Sequence, residues 1–519
     1  MSDLSPFTRP AEPRTIALDD ADNVVIAVDA IERGDLAAGV VARDRIPRGH
    51  KMARSRVMSG QALLKFGQPI GLATCDIAPG EWVHVHNISA TALPVCDMQF
   101  PARAAEGAHG GSGHAACIPS TFQGYRRSDG RTGTRNYIGI LTSVNCAASV
   151  ARFAADAITR SGLLEAYPGI DGVVPIIHGT GCGLAERGEG FEVLRRTQWG
   201  YACHPNFAAV IMVGLGCEVL QIARMKQQFG VQESDGFRTL TIQETGGTRR
   251  TVDQIVGTVR EMLPRAAAAR RTTRSASELV LGLQCGGSDG YSALTANPAL
   301  GFASDLLVQD GGTSILSETP EIYGAEHLLV RRARAPGIGD RLMERLRWWE
   351  DYTVRNGAEM NNNPSPGNKA GGLSTILEKS LGAVAKSGHA ALQAVYEYAE
   401  PVRTHGLVFM DTPGFDPVSA TGQVAGGANI ICFTTGRGST FGCKPVPSLK
   451  LATNSEMYRR MSDDMDINCG DMLEGVSLET KGRQIFDALL RVASGERTRS
   501  ECLGYGEAEF VPWQIGAVM

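Results

Sequence analysis

The stretch ELVLGLQCGGSDG, residues 278–290, is the part of this sequence that best indicates its fold. An apolar run typical of a buried strand ends at Cys285, and two glycines, Ser288 and Asp289 follow as a tight turn. In parallel α/β sheets, ligands bind at the carboxyl ends of the strands. Glycines let a ligand approach the backbone closely. The stretch therefore predicts a binding site at this turn, with Ser288 and Asp289 as candidates to hydrogen-bond a substrate or to orient a ligand shell.

The same alternation of apolar runs and helical stretches extends in both directions. Upstream, YIGILTSV, GVVPIIHG and AAVIMVGLG each precede a helical segment, and downstream GTSILSETPE, HGLVFMDTPG and NIICFTTGRG continue the pattern. This βαβ rhythm predicts an α/β fold with two mostly parallel sheets. We expect one sheet in a middle domain at residues 121–272 and the other in a C-terminal domain at residues 273–519.

The N-terminal part of the chain has a different pattern. Residues 12–101 contain short β segments separated by Gly, Pro and Asp turns, which predicts a small β domain. Residues 102–120, ARAAEGAHGGSGHAACIPS, are rich in Gly, Ala and Ser and have no periodicity. They predict a flexible linker.

Composition excludes several classes of function. The net charge of −4 over 519 residues gives no general attraction to nucleic acid or to an anionic membrane. No apolar run approaches the 18 or so residues of a membrane span, and the N-terminus lacks the apolar core of a signal peptide. We therefore expect a cytoplasmic protein, in which the 12 cysteines are free thiols or metal ligands rather than disulfides.

Four cysteines share one sequence context. Cys146, Cys182, Cys217 and Cys285 each lie just past a predicted strand, mostly beside glycine. Thiolates at such positions could bind iron or an iron–sulfur cluster. The alternative is that each cysteine is a small buried apolar residue. The spacing matches no compact CxxC motif, so both interpretations stay open.

Three histidines of the N-terminal domain form a second candidate set. His50 lies in RGHKM, and His84 and His86 lie in WVHVHN. Positions i and i+2 of a strand share a face, so we expect His84 and His86 to point the same way. They could bind a metal or supply a general base, or they could simply occupy a polar strand face.

Two loops carry side chains suited to a polyhydroxy acid. NNNPSPGNKAGG supplies Asn363, Ser365, Asn368 and Lys369, and a lysine among amides can hold a carboxylate. FTTGRGSTFG supplies Thr434, Thr435 and Arg437, and an arginine in a glycine turn can clamp a carboxylate. Neither loop has the spacing of a nucleotide-binding motif.

Acidic residues offer an oxygen-ligated alternative for a metal. Glu318 and Glu321 follow another predicted strand, and four aspartates gather near the C-terminus, at Asp463, Asp464, Asp466 and Asp471. Both groups could bind a hard cation, and the second is also typical of a solvated acidic loop.

Several long motifs together resemble the altronate/galactarate dehydratase family. They are GYRRSDGRTGTRNY, HGTGCG, GLGCE, QCGGSDGYSALTANPALG, NPSPGNKAGG and TTGRGSTFG. The N-terminal GHKMA, KFGQPIG and APGEWVHVHN are similar to the SAF-type β-clip domain of that family. The resemblance covers residues 15–515 approximately. It implies a β-clip domain, a middle dimerisation domain and a Rossmann-like C-terminal domain.

The resemblance also implies an activity. It implies a homodimeric hydro-lyase that acts on a sugar acid and depends on ferrous iron, so the cofactor is expected to be Fe²⁺ or an iron–sulfur cluster, with another divalent cation as the alternative. Within that reading, iron is held by some of the four cysteines, and His50, His84, His86 or Lys369 acts as base or acid. Arg437 grips a carboxylate while the α-proton and the β-hydroxyl are removed.

Three other readings stay open. An oxygen-ligated metal near Glu318, Glu321 or Asp289 could replace the thiolate site. The substrate could be another 2-hydroxy acid, because sulfolactate sulfo-lyases share parts of the pattern. The chain could also be a sugar-acid-binding protein that does not catalyse a reaction.

Overall fold

The computed structural model describes residues 12–90 and 120–516 of the chain. Nearly all of the predicted linker at 102–120 therefore lies outside the described residues, as do residues 91–101 of the predicted β domain. Within the described ranges, no helix has both the length and the apolar character needed to cross a bilayer.

The N-terminal domain is built from short antiparallel strands. Strands β1, β2, β5 and β8 form one sheet, and β6, β7 and β9 form another. Buried aliphatic side chains such as Val24, Leu63 and Ile77 fill the space between them. The strands are β1 Thr15–Ile16, β2 Val24–Ala27, β3 Leu36–Ala37, β4 Val40–Val41, β5 Lys51–Ala53, β6 Ala62–Lys65, β7 Gln68–Ala73, β8 Trp82–Val83 and β9 Ile88–Ser89.

The middle region contains a four-stranded parallel sheet with the order β13-β12-β14-β15. Every residue of β12 is buried, as expected for a strand covered by helices on both faces. The elements are β10 Thr121–Arg126, β11 Thr132–Gly133, β12 Tyr137–Thr142, α1 Ala148–Arg160, β13 Gly172–Ile176, α2 Glu189–Ala202, β14 Phe207–Gly214, α3 Ile222–Phe229, β15 Phe237–Thr241, α4 Ile242–Thr245 and α5 Thr248–Ala266.

The C-terminal region contains a seven-stranded parallel sheet with the order β19-β20-β18-β17-β21-β22-β23. Its elements are β16 Arg271–Ser275, β17 Val280–Cys285, α6 Ala296–Gln309, β18 Thr313–Leu316, α7 His327–Val330, α8 Pro336–Arg355, α9 Pro366–Ala370, α10 Ile376–Ala385, β19 Leu392–Tyr396, β20 Gly406–Met410, α11 Asp416–Ala425, β21 Ile430–Thr435, β22 Ser448–Ala452, α12 Ser455–Arg460, β23 Ile467–Asn468, α13 Leu478–Ala493 and α14 Arg499–Leu503. Strand β16 instead joins β10 and β11 in a separate small sheet. The predicted α/β class, with a β domain followed by parallel sheets, is confirmed.

The chain order of the large sheet reverses beside β17. From β17 the chain first adds β18 and later β20 on one side, and then returns to add β21 and β22 on the other. Such a switch point leaves a crevice at the carboxyl ends of the two strands that flank it. Cys285, the last residue of β17, pairs with Thr434 of β21. The turn that follows Cys285, residues 286–290, therefore lies at the crevice.

The two parallel sheets open toward the same side of the molecule. Helix α2, from the middle sheet, packs along helix α11, from the large sheet. The C-terminal ends of the two helices meet, because a Cβ added at Gly200 would lie 2.3 Å from the carbonyl oxygen of Ala425. Since each helix runs opposite to its preceding strand, the carboxyl edges of both sheets face the same way.

The N-terminal domain docks directly on the turn after β17. The Tyr291 hydroxyl donates to the carbonyl oxygens of Ala27 (3.1 Å) and Val28 (2.9 Å). A Cβ at Gly290 would lie 1.8 Å from the carbonyl oxygen of Gly49. Glycine is therefore required at position 290, because the backbones of the two domains touch there.

Candidate active site

A buried ionic cluster lies at the carboxyl end of the central strand. Lys386 Nζ donates to Cys285 Sγ at 2.9 Å and to Glu318 Oε2 at 3.1 Å. Lys379 Nζ donates to Glu321 Oε1 at 2.6 Å, and Cys285 Sγ lies 3.6 Å from Glu321 Oε2. All five side chains are buried. Burying this many charges costs free energy that only close pairing offsets. Such groups with shifted pKa values are frequent at active sites, so this cluster is the leading candidate for the catalytic residues.

Local structure explains how these side chains meet. Cys285 ends β17, and the two glutamates lie in the turn that follows the neighbouring strand β18. Lys379 lies on α10 and Lys386 caps the end of that helix seven residues later, so the two side chains lie on one face. Glu318 has a φ of +72°, a left-handed conformation that costs a non-glycine residue about 1 kcal/mol. Its Oε1 is buried without a hydrogen-bond partner.

The cluster separates the pKa values of its carboxyl groups. Burial, with the charge of Glu321, raises the pKa of Glu318 to about 8. Burial would also raise the pKa of Glu321, but the ammonium groups of Lys379 and Lys386 lower it below its usual value. Burial and Glu321 together raise the pKa of Asp416 to about 7. Carboxyl groups whose pKa values differ in this way can serve as a proton donor and a proton acceptor at neutral pH.

Asp416 faces the same strand end from helix α11. A Cβ at Gly286 would lie 2.1 Å from Asp416 Oδ2, so this glycine leaves room for the carboxyl group. The thiol of Cys285 is buried next to it, and burial raises its pKa to about 12. A small pocket beside the cluster has a mixed polar and apolar lining, which includes Cys285, Ser288, Asp289 and Lys379.

Cys285, Glu318 and Glu321 could also hold a metal ion. Their donor atoms lie within 4.8 Å of one another, the one such group of three among the residues described. However, the Lys386 ammonium already bonds Cys285 and Glu318, and Lys379 already bonds Glu321. A resident cation would have to displace the Lys386 ammonium, so the donor set fits a proton-handling cluster better than a metal centre.

Several predicted substrate-binding residues hold the loops of the site in place. Asp289 accepts hydrogen bonds from Thr453 (2.9 Å) and Asn454 (3.1 Å) and is buried. Burial raises its pKa, although these hydrogen bonds oppose the rise. Asn368 donates to the carbonyl oxygen of Ser288 and forms a capping box with Ser365 at the start of α9. These contacts join the turn after β17 to the loops that follow α8 and β22.

The other predicted substrate contacts lie closer to the cluster or to solvent. Asn363 joins two residues of the cluster, because its Nδ2 donates to Glu321 (2.8 Å) and its Oδ1 accepts from Lys379 (2.7 Å). Thr435 is buried and accepts from the backbone of Gly438. Arg437 is exposed, and Lys369 is half-buried. These two cations are therefore available to a substrate carboxylate.

The three histidines surround Trp82 at the domain interface. His84 Nε2 lies 2.9 Å from the carbonyl oxygen of Lys369, and His50 accepts from Trp82 Nε1 at 3.2 Å and bonds the backbone of Ala370. Burial lowers the pKa of both rings, that of His50 to about 4. Both imidazoles thus tie the N-terminal domain to helix α9.

The expectation that His84 and His86 share a strand face is wrong. Strand β8 ends at Val83, because Asn87 closes a turn by accepting from the backbone of His84 (3.0 Å). His84 is buried as a result, and His86 is exposed.

A second buried ion-pair network was not predicted. Glu378 of α10 binds Lys51 and Lys65 of the N-terminal domain, each at 2.8 Å, and all three side chains are buried. Lys51 also donates to the carbonyl oxygen of Gly372. Lys379, Lys386 and Asp416 were missed as well. The available signal was the segment ILEKSLGAVAK, whose charged residues interrupt an otherwise apolar helix.

The structure distributes the four predicted cysteines over two sheets. Cys146, Cys182 and Cys217 follow β12, β13 and β14 of the middle sheet and are exposed. Cys285 is buried in the large sheet. The described residues contain no three-ligand group that joins Cys285 to the others within 4.8 Å. The shared position after a strand predicted one site for all four cysteines, but the strands belong to two separate sheets.

Two of the four predicted C-terminal aspartates, Asp466 and Asp471, make structural contacts. Asp466 accepts from the backbone of Lys450 and of Arg499, and Asp471 pairs with Lys481 at 2.7 Å. Among the described residues these aspartates form no group that could hold a metal.

Three sequence-family models match the chain in succession. They are the altronate/galactarate dehydratase SAF domain at residues 13–91, the D-galactarate dehydratase/altronate hydrolase second domain at residues 124–267, and the D-galactarate/altronate dehydratase C-terminal domain at residues 276–518.

Curated relatives match over most of their length. The altronate dehydratase of Bacillus subtilis (strain 168) is 33% identical over 492 residues, which cover 94% of this chain and 96% of the relative. The galactarate dehydratase (L-threo-forming) of Escherichia coli (strain K12) is 38% identical over 493 residues, or 93% of each chain. The (2R)-sulfolactate sulfo-lyase subunit beta of Chromohalobacter salexigens is 30% identical over 397 residues, which cover 75% of this chain and 96% of the relative. The chain therefore belongs to the altronate/galactarate dehydratase family.

Proposed function

We propose that this protein is a hydro-lyase that dehydrates a sugar acid of the altronate or galactarate type to a 2-keto-3-deoxy acid. Family membership and the names of the two dehydratase relatives support the reaction class. The observation that carries the proposal is the buried cluster of two lysines, two glutamates and Cys285 at the switch point of the large sheet. Ligands bind at such points, and dehydration needs groups that move protons there.

The first chemical step removes the proton α to the carboxylate. Asp416 is the proposed base, because its pKa of about 7 leaves a large ionised fraction at neutral pH. The electron pair of the C–H bond shifts toward the carboxylate, so negative charge grows there. The ammonium groups of Lys379 and Lys386 are the proposed stabilisers of that charge, in a setting where water is largely excluded.

The second step breaks the bond from the β-carbon to its hydroxyl. Glu318, with a pKa of about 8, holds a proton at neutral pH and is the proposed donor to the departing oxygen, which leaves as water. The enol that remains tautomerises to the keto acid. Iron or another divalent cation, where bound, would supply a Lewis acid that eases loss of the hydroxyl.

Substrate carboxylates are assigned to the two available cations at the rim. Arg437 lies against Gly371, since a Cβ there would be 3.2 Å from Arg437 Cδ. Lys369 is the second. His50 and His84 then act by holding the loop that carries Lys369, and His86 has no assigned part in the chemistry. The homodimer stays a proposal that derives from the family, and the cytoplasmic location stays one that derives from the sequence.

Keto-acid formation from altronate and from galactarate, measured without oxygen, tests the proposal. We expect turnover of at least one substrate and loss of turnover in Glu318→Gln. Glu479→Gln, whose side chain is 64% exposed in a pair with Arg483, serves as the control. Turnover in Glu318→Gln equal to wild type would contradict the assignment. Stabilisation by both sugar acids without any product would indicate a binding protein instead.

A second candidate is a lyase that releases sulfite from a sulfolactate-type acid. The match to the sulfo-lyase beta subunit favours it, since that match covers three quarters of this chain. The same cluster would serve, because α-proton removal is common to both eliminations. Sulfite release in the same assay distinguishes the two leaving groups.

A further inference from the structure

The proposed dehydration needs three proton transfers, and only two of them have an assigned group so far. One proton leaves the α-carbon, one joins the departing hydroxyl, and one must reach the β-carbon when the enol becomes the keto acid. Asp416 and Glu318 are assigned to the first two. The thiol of Cys285 is buried in the same cluster, yet neither of these steps uses it.

Strand geometry places Cys285 and Asp416 on opposite faces of the large sheet. Successive residues of a strand point to opposite faces. Gly286 faces helix α11, because a Cβ there would lie 2.1 Å from Asp416 Oδ2. Cys285 precedes it and points the other way, toward Lys386 at the end of α10. A substrate bound beyond the end of β17 therefore has a carboxyl group on one side and a thiol on the other.

The hydrogen bonds of the thiol suit a proton donor. Cys285 Sγ accepts from Lys386 Nζ at 2.9 Å and donates to Glu321 Oε2 at 3.6 Å. Burial raises the pKa of the thiol to about 12, although the charge of Lys386 opposes the rise, so the sulfur keeps its proton at neutral pH. The same ammonium group would stabilise the thiolate that forms once the proton has left.

The surroundings of Cys285 leave room for a ligand. Cys285 borders the small pocket beside the cluster, together with Ser288 and Lys379. The two residues that follow it in the turn are glycines, which place no side chain between the end of the strand and a ligand in the crevice. The thiol is therefore at a position from which it can meet a reacting carbon.

We propose that Cys285 delivers a proton to the β-carbon of the enol, on the side opposite to Asp416, an inference that rests on the proposed function. In this step the S–H bond breaks, and the electron pair of the carbon–carbon double bond forms the new C–H bond. The O–H pair of the enol becomes the second bond of the carbonyl group. The hydroxyl proton passes to Glu318, which is a carboxylate after it has protonated the departing oxygen.

The cluster then returns to its starting protonation. Lys386 passes a proton to the thiolate across their 2.9 Å hydrogen bond, and water restores the ammonium group. Asp416 gives the proton that it took from the α-carbon to water. One sugar acid thus yields one keto acid and one water molecule, with no net proton gained or lost by the protein.

Turnover of altronate and galactarate in D₂O tests the inference, with NMR locating deuterium at the β-carbon of the keto acid. Wild type should place one deuterium in one of the two positions on that carbon, because a thiol held on one side labels only that side. Cys285→Ala should still consume substrate, since the elimination groups remain. Its label should be distributed about equally over both positions, because water then protonates the enol.

Two further variants separate the thiol's role from an effect on folding. Cys285→Ser keeps an acceptor for Lys386, but an alcohol is a much weaker acid than a thiol, so this variant should also give label in both positions. Cys432→Ala removes another buried thiol of the same sheet, on the neighbouring strand β21, where it pairs with Leu283. It should keep the label of wild type.

The outcomes separate this inference from the proposed function. Label in both positions from wild type, or a single labelled position in Cys285→Ala, would overturn the inference while the dehydration itself stands. Transfer of the substrate's own α-hydrogen to the β-carbon would also overturn it, because Asp416 would then serve as both base and acid. Absence of keto acid from both substrates would reject the proposed function, and the inference with it.

Discussion

Glu378 and Lys379 are consecutive residues of helix α10, and their side chains enter two different buried ion-pair networks. Glu378 binds Lys51 and Lys65 of the N-terminal domain, and Lys379 binds Glu321 at 2.6 Å beside the central strand. The docked N-terminal domain thus holds the helix that carries Lys379 and is capped by Lys386, the two lysines of the candidate active site.

Lys51→Met should lower the free energy of unfolding by roughly 3 kcal/mol, because it removes one of the two cations that balance a buried carboxylate. It should also lower kcat, since α10 loses an anchor. Urea unfolding and steady-state kinetics measure the two effects. Arg483→Ala, which breaks an exposed pair, should change stability by less than about 0.5 kcal/mol. Equal stability of the Lys51 and Arg483 variants would contradict the role of the Glu378 ion pairs in holding the N-terminal domain to α10.

The pH dependence of kcat/KM should be bell-shaped, with its maximum between about pH 7 and 8. Asp416, with a pKa of about 7, must be ionised to accept a proton, so activity falls as the pH drops through 7. Glu318, with a pKa of about 8, must be protonated to donate one, so activity falls as the pH rises through 8. A flat profile from pH 6 to 9 would reject this pair.

Lys386→Met should lower kcat by about 100-fold, because it removes a positive charge aimed at the developing negative charge. The ammonium of Lys386 also lowers the pKa of Glu318, so the residual activity should fall off at higher pH than in wild type. Lys226→Met, which breaks a partly exposed pair with Glu233, should leave both properties unchanged. An unshifted alkaline limb in Lys386→Met would show that the two side chains are not coupled.

His84→Gln should raise KM more than it lowers kcat, because His84 holds the backbone of the proposed carboxylate-binding Lys369. His86→Gln is the matched control, since that ring is two residues away and exposed. Steady-state measurement of kcat and KM for both variants decides whether His84 positions Lys369 or takes part in the reaction. A large loss of kcat with an unchanged KM in His84→Gln would instead indicate that His84 takes part in the reaction as an acid or a base.

Gly181→Ala should lower the free energy of unfolding by about 2 kcal/mol, because its φ is +100° and its Cβ would lie 2.3 Å from the carbonyl oxygen of Ser143. Gly188→Ala separates that collision from backbone strain. Gly188 has a similar φ, +104°, in the same connection, yet a Cβ there would meet nothing within 4 Å. Urea unfolding measures both variants, and equal losses of stability would show that the contact with Ser143 costs nothing beyond the backbone strain.

The sequence was sufficient to predict the strand ends but not the partners of each one. Cys285, Glu318 and Glu321 were all predicted at carboxyl ends of strands, where the structure has them. The position of a strand end depends on local apolar patterning, which a sequence carries. Which strand ends meet depends on how sheets pack. Cys285 was grouped with three cysteines of another sheet for this reason.

The sequence did not predict Lys379, Lys386 and Asp416 as site residues, for a related reason. Lysine on a helix is ordinarily exposed, and its burial here depends on carboxylates supplied by a distant turn. The histidine pair failed on a smaller scale, because one side-chain acceptor, Asn87, ended the strand at Val83.

The contacts between the N-terminal and C-terminal domains include close backbone approaches at Gly290 and buried ion pairs at Glu378. Such contacts are typical of two tightly bound subunits. The peptide that connects the two domains then mainly raises the effective concentration of one domain near the other. We therefore expect the two domains to stay associated when they are produced as separate chains. That fits a family whose sulfo-lyase relative is one subunit, matching three quarters of this chain.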